Sequence, residues 1–202
     1  MRLQTKSRGI FMKLVAAPHI FPSSECQASS QGEIIWLYGL SGAGKSTIAS
    51  RTRDILKRYN KNVFILDGDD LRTGLNSDLG FTEEDREENI RRAAETALLL
   101  SRTCDIVICT FITPKNTSRE LIESILKSHP FHSVCINTPL SECEKRDTKG
   151  LYKKARSGEI GHFTGISSPY DFPKTSSNSI NTLNNCVDDC AYQLIQLCNI
   201  KI

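Results

Sequence analysis

The chain has 202 residues, 39% of them hydrophobic and 24% charged, a balance that suits one folded domain and excludes disordered, fibrous and disulfide-stapled classes. No apolar run approaches the roughly 20 residues that a bilayer-spanning helix needs, so no membrane role is expected. The net charge of +3 arises in residues 1–31, where Arg2, Lys6, Arg8 and Lys13 face Glu25 alone; the remainder is neutral, and nucleic acid is not an expected partner.

Residues 1–31 are rich in Ser, Pro and small side chains and lack periodicity, which predicts a tail ahead of a domain spanning 32–202. Scattered basic residues with few acids also fit an organellar targeting segment, although no amphipathic helix is present, and Met12 offers a second start that removes most of the basic residues. The expected compartment is the cytoplasm, or a plastid or mitochondrion-related organelle if the tail is a targeting segment.

From Gly32 onward, β-rich runs alternate with segments of helical period, the pattern of an α/β fold with a mainly parallel sheet flanked by helices in three layers. Strands are predicted at Glu33 to Tyr38, Asn62 to Leu66, Asp105 to Thr110 and Ser133 to Asn137. Ser46 to Tyr59 places Ile48, Thr52, Ile55, Leu56 and Tyr59 on one helical face, and Ile90, Ala93, Ala94, Ala97 and Leu98 form another. Thr82 followed by Glu83, Glu84 and Asp85 has the form of a helix start. Glu87 with Arg91 and Glu88 with Arg92 have the spacing of solvent-facing ion pairs. Leu121, Ile122, Ile125 and Leu126 predict a helix after Ser118, and Val187, Cys190, Ala191, Leu194 and Cys198 a closing one. Thr175 to Asn185 reads as a surface loop. The eight cysteines contain no C-x-x-C pair and read as reduced thiols, and His19, His129, His132 and His162 show no metal-ligand spacing.

The chemistry enters at Gly39-Leu40-Ser41-Gly42-Ala43-Gly44-Lys45-Ser46, which fits G-x-x-x-x-G-K-[ST] between a predicted strand and a predicted helix. Successive backbone N–H groups and the helix N-terminus form an anion cradle, Lys45 reaches the β- and γ-phosphates, and the Ser46 hydroxyl suits Mg²⁺. A nucleoside triphosphate is the expected ligand. Asn60-Lys61-Asn62-Val63 lacks the Asp of a guanine-reading N-K-x-D element, and motor ATPases need more chain, which leaves a small kinase. Asp67 and Asp69, flanking Gly68 at the carboxyl end of the second strand, pair an acid suited to Mg²⁺ with one suited to an incoming hydroxyl. The spacing alone leaves open which is the base. Arg86 and Asn89 lie one helical turn apart and project to the same side; Arg72 offers a forked donor for phosphate or sulfate; Phe81 and Phe163 are loop aromatics suited to stacking on a base.

Taken in order, GLSGAGKST, LDGD with LR, GLN, LGF, REEN-IRR, TPL with CE and RD, KGLYKKAR with GEI, and FTGI with PY make the chain similar to the adenylylsulfate kinases from about Gly32 to Pro173. The resemblance implies Mg²⁺-dependent transfer of the ATP γ-phosphate to the 3′-hydroxyl of adenosine 5′-phosphosulfate, giving 3′-phosphoadenosine 5′-phosphosulfate in sulfate activation. It implies ATP binding by Gly39, Leu40, Ser41, Gly42, Ala43, Gly44, Lys45, Ser46, Thr47 and Arg146, and Mg²⁺ binding by Ser46 and Asp67. Catalysis falls to Lys45, Asp67 and Asp69. Acceptor binding falls to Asp69, Arg72, Phe81, Arg86, Asn89, Ile112, Thr113, Lys149 and Phe163. Residues Lys149 to Arg156 resemble a lid that excludes water. A homodimer and a functional link to ATP sulfurylase are implied too, with no room in this chain for a fused sulfurylase. Three positions depart from the family pattern: Asp70 stands for Asn, His162 for Gly, and Thr113 for the Ser of I-S-P, a Ser proposed to form a phosphorylated intermediate. Direct in-line transfer needs no such step. A kinase for another small nucleotide or sugar, and a non-catalytic ATP-binding regulatory module, are the alternatives.

Overall fold

The first strand, β1 (Glu33–Tyr38), is buried along nearly its whole length and occupies the centre of the sheet. In the computed structural model, which describes residues 31–173 and 178–202, it pairs in parallel with β3 (Ile106–Phe111) on one side and β4 (Phe131–Ile136) on the other. β2 (Val63–Asp67) and β5 (Ser179–Ile180) extend the sheet in parallel to the order β2-β3-β1-β4-β5. A central parallel strand is covered on both faces, so its residues read as a continuous apolar run.

Alternation along β1 divides the core in two. Ile35 and Leu37 face a cluster with Ile48, Ile55 and Leu56 of α1 (Lys45–Lys57) and Cys190, Ala191 and Leu194 of α7 (Val187–Leu197). Ile34, Trp36 and Tyr38 face Ile90, Ala93, Ala94 and Ala97 of α3 (Glu83–Leu100) and Ile122 and Leu126 of α4 (Asn116–Leu126). The result is the expected three-layer α/β fold. Short helices complete it: α2 (Gly68–Thr73) follows β2, and α5 (Leu140–Arg146) and α6 (Leu151–Arg156) follow β4. The carboxyl ends of β1, β2 and β3 open onto one edge, where parallel α/β sheets bind ligands.

Thr82 caps α3 as expected, its hydroxyl accepting from the Asp85 amide. Other details differ from the sequence reading. The second and third strands start and end one residue later than expected, so Asp67 is the last residue of its strand. The Ser/Asn-rich stretch is not loop throughout, because Ile180 is fully buried and pairs beside Ile136; its residues 175–177 lie outside the described ones, as do residues 1–30 of the expected tail. Tyr59 falls beyond the end of α1 and is exposed, and Val187 is exposed at the start of α7. Glu88 takes both arginines, Arg91 at 2.7 Å and Arg92 at 2.8 Å, in place of the expected Glu87–Arg91 pair. Among the described cysteines none is in a disulfide. No described helix is long and apolar enough to cross a membrane.

Candidate active site

The turn after β1 wraps the start of α1, whose N-cap Gly44 has φ +105, a conformation that side chains other than glycine rarely adopt. Behind this loop, Leu40 and Ala43 are buried in the core, while Ser41, Gly42, Gly44, Lys45, Ser46 and Thr47 line a cleft of about 1150 Å³. That volume exceeds the roughly 300–1,000 Å³ of a single small-molecule pocket. Lys45 is buried, and its ammonium donates to the carbonyls of Gly39 at 3.0 Å and Leu40 at 2.8 Å. Burial pushes its pKa down to about 8.

Opposite this loop, Asp67 ends β2. Its Oδ2 accepts from the Ser46 hydroxyl and from the Thr110 hydroxyl, each at 2.6 Å, and its Oδ1 accepts from the Asp69 amide at 2.9 Å. Burial favours the protonated acid, but these donors outweigh it and hold the carboxyl below its usual range. Gly68 is fixed by space: a Cβ there would stand 2.9 Å from Cδ1 of Phe111. With that turn closed, Asp69 projects into the cleft, where its carboxylate pairs with Lys149. The pairing raises the Lys149 pKa.

Every residue assigned to the acceptor by resemblance lines this one cleft, although several spend donors on the protein itself. Arg72 donates to the carbonyls of Leu79 (3.3 Å) and Gly80 (2.9 Å), and its guanidinium lies 4.5 Å from the centre of the exposed Phe81 ring. Arg86 donates to the carbonyl of Phe81 at 3.0 Å, to the hydroxyl of Thr164 at 3.1 Å and to the carbonyl of His162, joining two loops across the cleft. Asn89 is buried, with its Oδ1 accepting from Asn76 at 3.0 Å. Phe163 packs edge-on to Tyr152 at 4.9 Å rather than standing free. Arg146 lies against Thr182, donating to its hydroxyl at 3.0 Å and its carbonyl at 3.2 Å. Thr113 and His162 both take positive φ, +42 and +54, so two of the departures from the family pattern sit at strained backbone positions; Asp70 is exposed at the cleft.

Sequence reasoning missed three contacts that build the site. Thr110 donates to Asp67 across 43 positions of sequence, Tyr152 donates its hydroxyl to the Ser41 carbonyl at 2.9 Å and so ties α6 to the phosphate loop, and Asp147 accepts from the amides of Tyr152 and Lys153. Each is a long-range or backbone contact with no local sequence signal.

A family model described as adenylylsulphate kinase matches residues 31–181. The chain belongs to the adenylylsulphate kinase family. An adenylyl-sulfate kinase of Pseudomonas aeruginosa is 50% identical over 162 residues, 80% of this chain and 83% of that protein, and one from Bacillus licheniformis is 48% identical over 166 residues, 82% of this chain and 84% of that one. The Mycobacterium tuberculosis APS kinase, solved in complex with AMPPNP and APS, superposes with a TM-score of 0.81 at 42% identity, covering 84% of this chain and 98% of that one. As a member of the adenylylsulphate kinases, the chain is a kinase enzyme on a P-loop α/β fold.

Proposed function

We propose that the protein transfers the γ-phosphate of ATP to the 3′-hydroxyl of adenosine 5′-phosphosulfate, giving 3′-phosphoadenosine 5′-phosphosulfate and ADP. The observation that carries this reading is the position of the two aspartates between two unlike halves of one cleft. On one side is the phosphate loop with Lys45 and Ser46; on the other are Arg72, Phe81 and Arg86, a pair of cations around an exposed aromatic ring. The second half suits an acceptor with a flat base and an anionic tail. The M. tuberculosis relative, bound to AMPPNP and APS, supports the same two ligands here.

The donor set at the loop fits Mg²⁺, which takes hard oxygen ligands and keeps several waters: the Ser46 hydroxyl and the ionised Asp67 carboxylate lie within 2.6 Å of each other. These two residues would hold the metal, directly or through water, and when bound it would offset negative charge on the nucleotide phosphates. The division of labour between the aspartates follows from their partners. Asp67 is engaged by three donors, whereas Asp69 pairs with Lys149 alone among the bonds described. Asp69 therefore orients the 3′-hydroxyl and accepts its proton, with the Lys149 ammonium beside its carboxylate. Lys45 follows the charge of the moving phosphoryl group, and the Gly39 to Thr47 backbone holds the remaining phosphates. Arg146, beside the loop, faces the ATP adenine. The hydroxyl of Tyr152 on the Ser41 carbonyl ties α6, within the stretch that resembles a lid, to the phosphate loop, and a lid seated there would shield the reaction from water.

The acceptor is itself the product of adenylyl transfer from ATP to sulfate, which makes an ATP sulfurylase the functional partner; the homodimer of the family is tested by light scattering. The test of function is ADP release from Mg-ATP against a panel of acceptors, with the product identified. Release dependent on adenosine 5′-phosphosulfate is expected. Release dependent instead on another nucleotide or a sugar, or binding of ATP without transfer to any acceptor, contradicts the reading.

A further inference from the structure

The protein's single tryptophan, Trp36, lies in the middle of β1, buried to 1% exposure. Its indole Nε1 donates to the hydroxyl oxygen of Thr113 at 2.9 Å, across 77 positions of sequence. Thr113 is β-branched, precedes Pro114 and has φ +42. β-branched residues are outliers at positive φ, and a following proline pushes the backbone toward extended conformations, so this geometry persists only where the surroundings impose it.

Those surroundings are visible. Besides the indole, Arg119 donates from Nε to the Thr113 carbonyl at 3.3 Å, and the Ile112 carbonyl accepts from the amide of Gly39 at 3.2 Å. The indole also stacks on Phe111, with centroids 4.8 Å apart at 20°, and Phe111 is the side chain against which Gly68 closes the turn between the two aspartates. One buried ring thus lies beneath both the Thr113 loop and the aspartate turn.

We propose that Trp36 is a positioning residue for the acceptor nucleotide: it holds Thr113 in its strained conformation and so fixes the loop that lines the acceptor side of the cleft. An indole N–H is only a donor, so the Thr113 oxygen must accept from it, and the single hydroxyl hydrogen is left to donate. Thr113 is itself 1% exposed, so it acts on the cleft it lines through the shape of its loop, beside Ile112 and Pro114. This inference rests on the proposed acceptor, and it gives Thr113 a loop-fixing role that needs no covalent step.

The test is a double-mutant cycle of Trp36→Phe and Thr113→Val, with steady-state constants measured for both substrates. Loss of one hydrogen bond of this kind is expected to raise KM for adenosine 5′-phosphosulfate about tenfold, with KM for ATP unchanged within about twofold. In the Thr113→Val background the Trp36→Phe change should add nothing, since the bond is already gone. Thr113→Val keeps the buried ring, so it remains informative if Trp36→Phe folds poorly. In the wild type the emission of this single tryptophan should shift on adding the acceptor, and in Thr113→Val the shift should be lost. Equal rises in both KM values, multiplying effects in the double variant, or an emission shift that Thr113→Val retains would overturn the inference while leaving the function intact. A wild-type protein that fails to use the acceptor while binding ATP overturns both.

Discussion

The hydroxyl of Ser46, in the first turn of α1, donates to Oδ2 of Asp67 at the end of β2 at 2.6 Å. This bond joins the phosphate loop to the carboxylate turn and brings together two hard oxygens of the kind that the proposed Mg²⁺ takes. Asp67→Asn keeps the shape of the side chain but halves its acceptor capacity and removes its charge. We expect kcat to fall by about 10²-fold, the range for removing one charge-stabilising group, and the Mg²⁺ concentration at half-maximal rate to rise. Because the folded-state pKa of Asp67 lies below its unfolded value, its stabilising contribution is present above pH 4 and is lost as pH falls through the folded value. Acid titration of wild type and variant, followed by circular dichroism, should show that difference only at the acid end.

Lys45 makes the opposite pH signature. Its cationic form binds phosphate, and burial has lowered its pKa to about 8, so ATP affinity in the absence of acceptor should weaken as pH rises through about 8. The sign for stability is reversed: between about 8 and the unfolded value near 10.4, the unfolded chain binds more protons at this site, so this residue's contribution to stability rises with pH. Calorimetric ATP titrations from pH 6.5 to 9.5 check the first. Lys45→Met should remove the pH dependence and lower kcat by about 10³-fold.

Gly68→Ala places a methyl group 2.9 Å from the Phe111 ring. Overpacking of this kind costs about 1–3 kcal/mol, and the ring is held from behind by Trp36, so part of the displacement must fall on Asp67 and Asp69. A fall in kcat of about 10²-fold, as for other small misplacements of reacting groups, is expected together with a lowered Tm. Thermal unfolding and initial rates measure the two.

The pair between Asp69 and Lys149 is solvent-exposed, with side chains 71% and 60% accessible, and exposed pairs contribute little to stability. Lys149→Met should leave Tm within about 1 °C and raise the acceptor KM. Asp69→Asn should lower kcat by about 10²- to 10⁴-fold, the range for loss of a general base, while ATP binding stays intact. A variant that kept full turnover would remove Asp69 from the role assigned to it.

The sheet, the phosphate loop and the two aspartates were legible in the sequence because their signals are local: apolar runs of strand length, a glycine-rich turn before a helix, and acids beside Gly68. What escaped was non-local. β5 is two residues long in a polar stretch and is defined only by pairing with β4. The preference of Arg91 for Glu88 over Glu87 depends on side-chain direction around α3, where Glu88 also meets Arg92. The residues around Thr113 show the same limit, since a tryptophan in a buried strand reads as core until the loop at the carboxyl end of β3 folds over it. The family resemblance supplied the acceptor-side residues, and the structure supplied their partners, with Arg86 fastening loops and Phe163 packed on Tyr152.

The central claim is transfer of the γ-phosphate to a 3′-hydroxyl. Its most direct test is to follow γ-labelled ATP with adenosine 5′-phosphosulfate and Mg²⁺, and to locate the label by phosphorus NMR. A new 3′-phosphomonoester on the acceptor, formed one-for-one with ADP, is the predicted result; label recovered only as inorganic phosphate, or none transferred by folded protein that binds ATP, would contradict it.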